Sequence, residues 1–425
     1  MDPLYSRIFS TLSQRARCAQ AAKALEPGRE TCYAGKKHTP TGTRGNEKQM
    51  QDRTLEREEK KVEYLELIYD LIFVYLIGRN NALLQHVEGG FLTWETFLAY
   101  VLCTLAVIQI WNFSTFYVNL YGRNGVRDHV FLFINMYLLY HMADGIRAGW
   151  EGSLYRFCAA WALILLNIAV QHLIEVRNHA AAPWEQWQLR WKAGIILIES
   201  ALVGVHVFVY YRTGVSIAYV PVLFGIAAML LSGRLNALMP VDFGHLTERA
   251  MLYVVFTFGE MIIAIAGYFS GGVSLNGIYF SLMAFGIVAG LFLSYEVLYN
   301  RIIDREKLTN GTGYMLLHVF LIFALNNLSV SLEFMREETV ALLPKTLFLT
   351  GSFLLYFLFL FLLGRYARRR CCFHRRFVLR LGALGAAFLA LMLLLRGQMM
   401  ANIAVSAVFV YVVFWMLYRR GRASG

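Results

Sequence analysis

The sequence predicts an all-α protein: a polytopic transmembrane helical bundle of about twelve spans, with both termini in the cytoplasm and a disordered polar tail in front. Three observations carry this. Of 425 residues, 58% are hydrophobic and only 16% are charged, too little charge to coat a soluble protein of this length. The apolar residues fall in blocks of about 20, the length that crosses a hydrocarbon core of ~30 Å at 1.5 Å per residue. The basic residues gather between those blocks, mostly on one side of the expected membrane. The short alternating segments of a transmembrane barrel are not seen.

Residues 1–60 are polar and mixed in charge, with the run "PTGTRGNEKQMQDR", and read as a disordered tail. Within the first 25 residues, four basic residues and Leu4, Ile8, Phe9 and Leu12 near helical spacing resemble a mitochondrial transit peptide, from which Asp2 departs. Residues 61–420 read as one transmembrane domain. Its apolar blocks lie at roughly 64–86, 92–117, 130–147, 155–176, 192–211, 215–238, 248–270, 276–299, 313–333, 342–364, 377–395 and 399–418.

The loops give the orientation. With the N-terminus inside, the cytoplasmic loops hold Arg123, Arg127, Arg177, Arg190, Lys192, Arg234, Arg249, Arg301, Arg305, Lys307 and the run "GRYARRRCCFHRRF", and the C-terminus adds Arg419, Arg420 and Arg422. The other side holds few, such as Arg147, Arg156 and Arg212. This is the positive-inside asymmetry. It also accounts for the net charge of +12 without nucleic acid as a partner.

Six cysteines show no metal-ligand spacing, so neither a metal nor a cofactor is expected. Arg368, Arg369, Arg370, Cys371 and Cys372 sit together beside a membrane end. The arginines could bind anionic lipid at ~1 kcal/mol each or simply anchor topology. The two thiols are candidates for S-palmitoylation or plain loop residues.

Polar residues inside apolar blocks are informative, because a charge at the bilayer centre costs ~2.5–3.5 kcal/mol on insertion scales and faces the bundle interior or water. In the first block, "ELIYDLIFVY", Glu66 and Asp70 are four apart on one helix face, and Asn81 returns to that face. Arg79 falls on the opposite side. In the third, Tyr137, His141 and Asp144 recur at i, i+4, i+7; such a row can hold or relay a proton or form a hydrogen-bonded packing seam. In the seventh, His245, Glu248 and Arg249 stand at the cytoplasmic edge, and Glu260 follows about 18 Å further along the axis. Gly259 beside it would admit a close neighbour, and Arg79 at similar depth is the expected ion-pair partner of Glu260. His318 in "YMLLH" echoes His141 in "YLLYH". Glu66 and Asp70 are expected to pair with Arg249, as a charge lock or as a gate.

The motifs "YLELIYDLIFVYLI" and "HLTERAMLYVVFTFGE" together resemble the low temperature requirement A (LtrA) family of multi-pass membrane proteins, over roughly 60–400. The positions that carry the resemblance are Glu66, Asp70, Leu71, Phe73 and Val74, then His245, Glu248, Arg249, Gly259 and Glu260, with "YMLLH" as a further element. The chain departs from the family where Arg79 replaces a usual glutamine, and at "LFLSYEVLYN", where tryptophans are usual. The resemblance implies a fold and a set of positions, but no substrate.

The expected function is secondary transport of an unknown small solute or ion, coupled to protons or ions, with Glu260 or His141 carrying the coupling proton. The alternatives are an ion channel or a non-transport membrane protein, either an assembly factor or an intramembrane enzyme. No GxxxxGK[ST], HExxH or GxSxG motif occurs, so an enzyme is not expected. Expected partners are membrane lipids, the solute and, as an option, a second copy of the chain. The expected location is the plasma membrane, with an organelle membrane as the alternative.

Overall fold

Twelve long helices follow one another through the described part of the chain. The computed structural model describes residues 60–422 apart from 86, 88, 147–152, 180–182, 237–240, 268–273, 338 and 372. The tail, with its transit-peptide resemblance, therefore lies outside the described residues. The helices are α1 (Tyr64–Asn81), α2 (Trp94–Tyr121), α3 (Val126–Asp144), α4 (Leu154–Asn178), α5 (Pro183–Thr213) and α6 (Tyr219–Asn236), then α7 (Phe243–Ala266), α8 (Leu275–Val297), α9 (Thr312–Arg336), α10 (Leu342–Leu362), α11 (Arg375–Leu394) and α12 (Met399–Arg422). Each overlaps one of the twelve apolar blocks. Among the described residues, ten stretches are long and apolar enough to cross a membrane; α3 and α6 fall short of that standard.

Local chemistry sets the helix starts. Thr93, Asp242 and Ser274 cap α2, α7 and α8 by accepting the backbone N–H three residues on, at 3.2, 3.0 and 3.0 Å. The turn from α2 to α3 passes through Asn124 at φ 52°, a left-handed conformation that asparagine tolerates.

The packing is inverted relative to a soluble protein. On α1 the buried face carries Glu66, Tyr69, Asp70 and Phe73, while Ile68, Leu71 and Tyr75 are exposed. Leu163 and Leu166 on α4, and Ile198, Val205 and Phe208 on α5, likewise point outwards. An apolar outside with charges inside is what a lipid-facing bundle requires. The N-terminal turns of α5 add a stack of half-exposed tryptophans, Trp184, Trp187 and Trp191, at centroid spacings of 5.0 and 5.9 Å, the kind of belt found at membrane interfaces.

Strong pairings run between neighbours α3–α4, α4–α5 and α9–α10 and between the distant pair α8–α12. Helix α1 lies near the centre, against α2, α3, α7 and α9. Helix α9 is the most enclosed, with every residue from Ala324 to Leu332 buried. Helix α11 is peripheral, and seats Phe388 on Phe409 of α12 with centroids 4.0 Å apart.

Candidate functional site

The site is built by two helices running in the same direction. α1 offers Glu66 and Asp70, four residues apart; α7 offers His245 and Arg249, also four apart. Side chains four apart share a helix face, so an acidic pair confronts a basic pair in register. Asp70 and Arg249 are both fully buried, and Glu66 and His245 nearly so.

The two rungs differ. Arg249 grips both oxygens of Asp70, through Nε at 3.2 Å and through a closer terminal nitrogen. Trp111 of α2 adds its indole N–H to the same carboxylate at 2.8 Å. Asp70 is thus held by three donors in a bidentate, charge-assisted arrangement. Glu66 is held more loosely. Its Oε2 lies 3.2 Å from His245 Nε2 and 3.3 Å from the remaining terminal nitrogen of Arg249, close enough for ionic attraction but without aligned hydrogen bonds.

The far side of His245 is fixed. Asn119 of α2 donates from Nδ2 to the Asp242 carbonyl at 2.8 Å and accepts the Asp242 N–H on Oδ1 at 3.2 Å. The same Nδ2 faces His245 Nδ1 at 3.0 Å. An amide NH₂ can only donate, so Nδ1 accepts and the proton of a neutral ring sits on Nε2, aimed at Glu66. Protonating Nδ1 as well would set two donors face to face.

Lys60 closes this end. Its backbone N–H bonds to Asp242 at 3.0 Å, and its ammonium bonds to Gly122 O at 2.9 Å and to Val118 O, the carbonyls at the end of α2. Burial lowers the ammonium's pKa below the usual lysine range, against the opposing pull of Glu66. On the membrane side the cluster rests on an aromatic floor: Trp111 and Tyr253 have centroids 4.7 Å apart, and Phe73 lies 6.0 Å from Tyr253.

Other expected residues are placed differently. Arg79 and Glu260 form no ion pair among the described residues. The Glu260 carboxylate instead lies against Gly78, where an added Cβ would come within 2.6 Å of it. Arg79, one residue on, has a buried Nε without a hydrogen-bond partner. The glycine that admits a close neighbour is therefore Gly78, since a Cβ on Gly259 would meet nothing within 4 Å. Tyr137 and His141 share a face, with ring centroids 4.6 Å apart, but that face points outwards and both are exposed. The reason is that α3 buries Leu132, Asn135, Met136 and Leu139 instead. Asp144 pairs with Arg156 at 2.7 Å at the surface. Asn81 is buried, and Glu248 is half-buried with no ion pair among the described residues. His318 does not copy His141: it is buried and bonds Tyr314 O at 2.9 Å and Tyr295 Oη at 3.0 Å.

In the basic loop, Arg368 and Arg370 are exposed. Cys371 is only 1% exposed, with its thiol 3.7 Å from Arg301 O. An acyl chain needs an accessible thiol, so Cys371 is not a palmitoylation site in this arrangement. Cys372 and the Arg369 side chain lie outside the described residues.

The sequence reading missed Trp111, Asn119 and Lys60, which carry no motif. It also missed Asp242, which an N-cap reading of "DFGH" could have found. A second ionic knot was missed too. Buried Glu175 of α4 takes Arg127 at 2.6 Å, Arg123 at 3.2 Å and His179 at 3.6 Å, tying the α2–α3 turn to the end of α4.

The family model described as bacterial low temperature requirement A protein (LtrA) matches residues 61–415. The chain belongs to the LtrA family. No curated protein and no solved structure matches it. Membership makes it a multi-pass membrane protein, and the match runs from the residue after Lys60 into α12, so it takes in both rungs of the α1–α7 site.

Proposed function

We propose that this LtrA-family protein is a secondary transporter of a small solute or ion, coupled to protons or ions. In this reading the α1–α7 cluster is its gate, at a cytoplasmic end marked by the arginine- and lysine-rich loops. The observation that carries the proposal is the inequality of the two rungs. Asp70, saturated by Arg249 and Trp111, holds α1 on α7. Glu66, whose Oε2 stands at ionic distance from His245 and Arg249 without an aligned bond, is the acid left to exchange a proton.

Asp70 and Arg249 cancel, and the Lys60 ammonium at the mouth of the cluster is the remaining counter-charge of Glu66. Glu66 is thus the acid that can take a proton without undoing the Asp70 rung. Proton uptake there weakens the hold of Glu66 on Arg249 and frees the ends of α1 and α7 to part. The aromatic floor keeps the cluster apart from the deeper part of the bundle until they do.

The test is flux into liposomes that contain the purified protein. An internal pH dye is followed while pools of cations, anions and small metabolites are added outside in turn. A proton signal with one pool supports transport and narrows the solute to that pool. No signal with any pool, from protein shown to be folded, counts against it.

A further inference from the structure

The inward face of α5 carries three ionisable residues seven apart: Lys192, Glu199 and His206. All three are buried, and Glu199 and His206 completely so. Seven residues rise about 10.5 Å along a helix, so the three mark successive levels of the bundle. None of them takes part in the α1–α7 site.

Each level has its own surroundings. At the first, Lys192 lines a cavity with Asn112, Tyr117, His172 and Thr312. At the third, His206 lines a second cavity with Cys103, Cys158, Trp161 and Val222. The volumes are about 30 and 90 Å³, both above the ~10–15 Å³ that one water needs. Glu199 stands between them. Ile196, one turn before it, lines the first cavity. Gln109 of α2 bonds through Nε2 to Val222 O at 2.8 Å, and Val222 lines the second.

Glu199 itself is unmatched. Neither carboxyl oxygen has a hydrogen-bond partner, and no cation lies within ion-pair distance among the described residues. Its closest neighbours include Gly225 of α6, where a Cβ would come within 2.6 Å of Oε1. Only a glycine on α6 leaves room for this carboxyl. On the helices packed around it, the titratable groups that line the two cavities are Cys103 and Tyr117 on α2, Cys158 and His172 on α4, and Lys192, His206 and Tyr210 on α5; from α6, Gly225 abuts the carboxyl. At that level α4 presents Ala162, whose carbonyl takes the Ser200 hydroxyl at 2.9 Å. Gln109 Oε1, both side-chain atoms of Asn112, Trp161 Nε1 and His206 Nε2 are also buried without partners, so the unmatched atoms follow the same file from one cavity to the other.

A bare carboxylate cannot stay in an apolar interior without a counter-charge. We infer that Glu199 is a proton-binding carboxyl at the middle of a second polar path, formed by α2, α4, α5 and α6. It is neutral at rest and exchanges its proton with water that reaches it through the Lys192 and His206 cavities. The step is the gain or loss of one proton by one carboxyl, with no other bond made or broken. The inference does not rest on the gate assigned to Glu66 and His245.

Infrared difference spectroscopy of the full-length protein in liposomes tests it, without any transported solute. Wild type should show a protonated-carboxyl C=O band at neutral pH that shifts in D₂O. Glu199→Gln should lose that band. Glu199→Asp should keep it at a displaced frequency, which assigns the band even if the glutamine variant folds poorly. A wild-type spectrum without a band altered by either substitution would overturn the inference. So would an assigned band that fails to shift in D₂O, because its proton would then be cut off from both cavities.

Discussion

Arg249 of α7 grips both carboxylate oxygens of Asp70 on α1, with neither side chain exposed. The two residues are 179 apart in the chain, so this contact sets how the first and seventh helices lie together. A buried ion pair earns little net stability over an apolar pair, but breaking it leaves a bare charge. Arg249→Met should therefore destabilise the protein by about 3–5 kcal/mol, and Asp70→Leu with Arg249→Met should recover much of that. Unfolding in mixed detergent, read for both single variants and the double, checks it. Equal losses in the single and double variants would mean the pair is not the contact that matters.

Trp111 supplies the third donor to Asp70, at 2.8 Å. Trp111→Phe keeps the ring packing against Tyr253 and removes only the N–H. A hydrogen bond to a charged group contributes about 1.5–3 kcal/mol, and a loss of that size is expected in the same assay. No loss would show that Arg249 alone satisfies the carboxylate.

Two glycines should behave oppositely. At Gly145, between α3 and α4, an added Cβ would lie 2.6 Å from Phe157 N and 2.9 Å from its Cα. The obstacle is backbone, which cannot swing aside, so Gly145→Ala should cost about 1–3 kcal/mol. At Gly259 nothing lies within 4 Å, and Gly259→Ala in mid-helix should stabilise by about 0.5–1 kcal/mol. Melting temperatures of the two variants in one detergent decide this.

Lys60 gives a pH dependence with a definite sign. Burial holds its ammonium below the ordinary value of 10.5. The folded protein therefore releases this proton at a lower pH than the unfolded chain does. Between the lowered value and 10.5 the unfolded state binds more protons, so this group's contribution to stability rises with pH across that window and is flat below it. Lys60→Gln should remove that alkaline rise when its stability–pH curve is set beside the wild type's. Parallel curves would refute the assignment.

Much of this was legible in the sequence, for reasons particular to lipid. Apolar blocks of spanning length overlap all twelve helices, though α5 begins at Pro183, well before its block at 192–211. The inner face of α1 was readable because Glu66 and Asp70, four apart in an apolar run, cannot face hydrocarbon, and Arg249 was the nearest opposite charge at a matching depth. Where the reading failed, it failed on rotation about the helix axis. Tyr137 and His141 were put inside because they are polar, yet a tyrosine and a histidine on an outer face are tolerable where an acid is not. Arg79 and Glu260 match in depth alone, and depth does not fix azimuth: Glu260 meets Gly78, and no ion pair joins the two among the described residues. The rung geometry was out of reach for another reason. Trp111 and Asn119 belong to α2, and nothing in its sequence shows that these of its polar residues meet α7.

In the proposed gate Glu66, not Asp70, carries the exchangeable proton. The most direct measurement is pH-gradient-driven flux in liposomes for wild type, Glu66→Gln and Asp70→Asn, with the folded fraction of each determined alongside. Glu66→Gln should fold as wild type does and lose the pH-driven flux, while Asp70→Asn should lose stability first. Undiminished pH-driven flux in folded Glu66→Gln would contradict it.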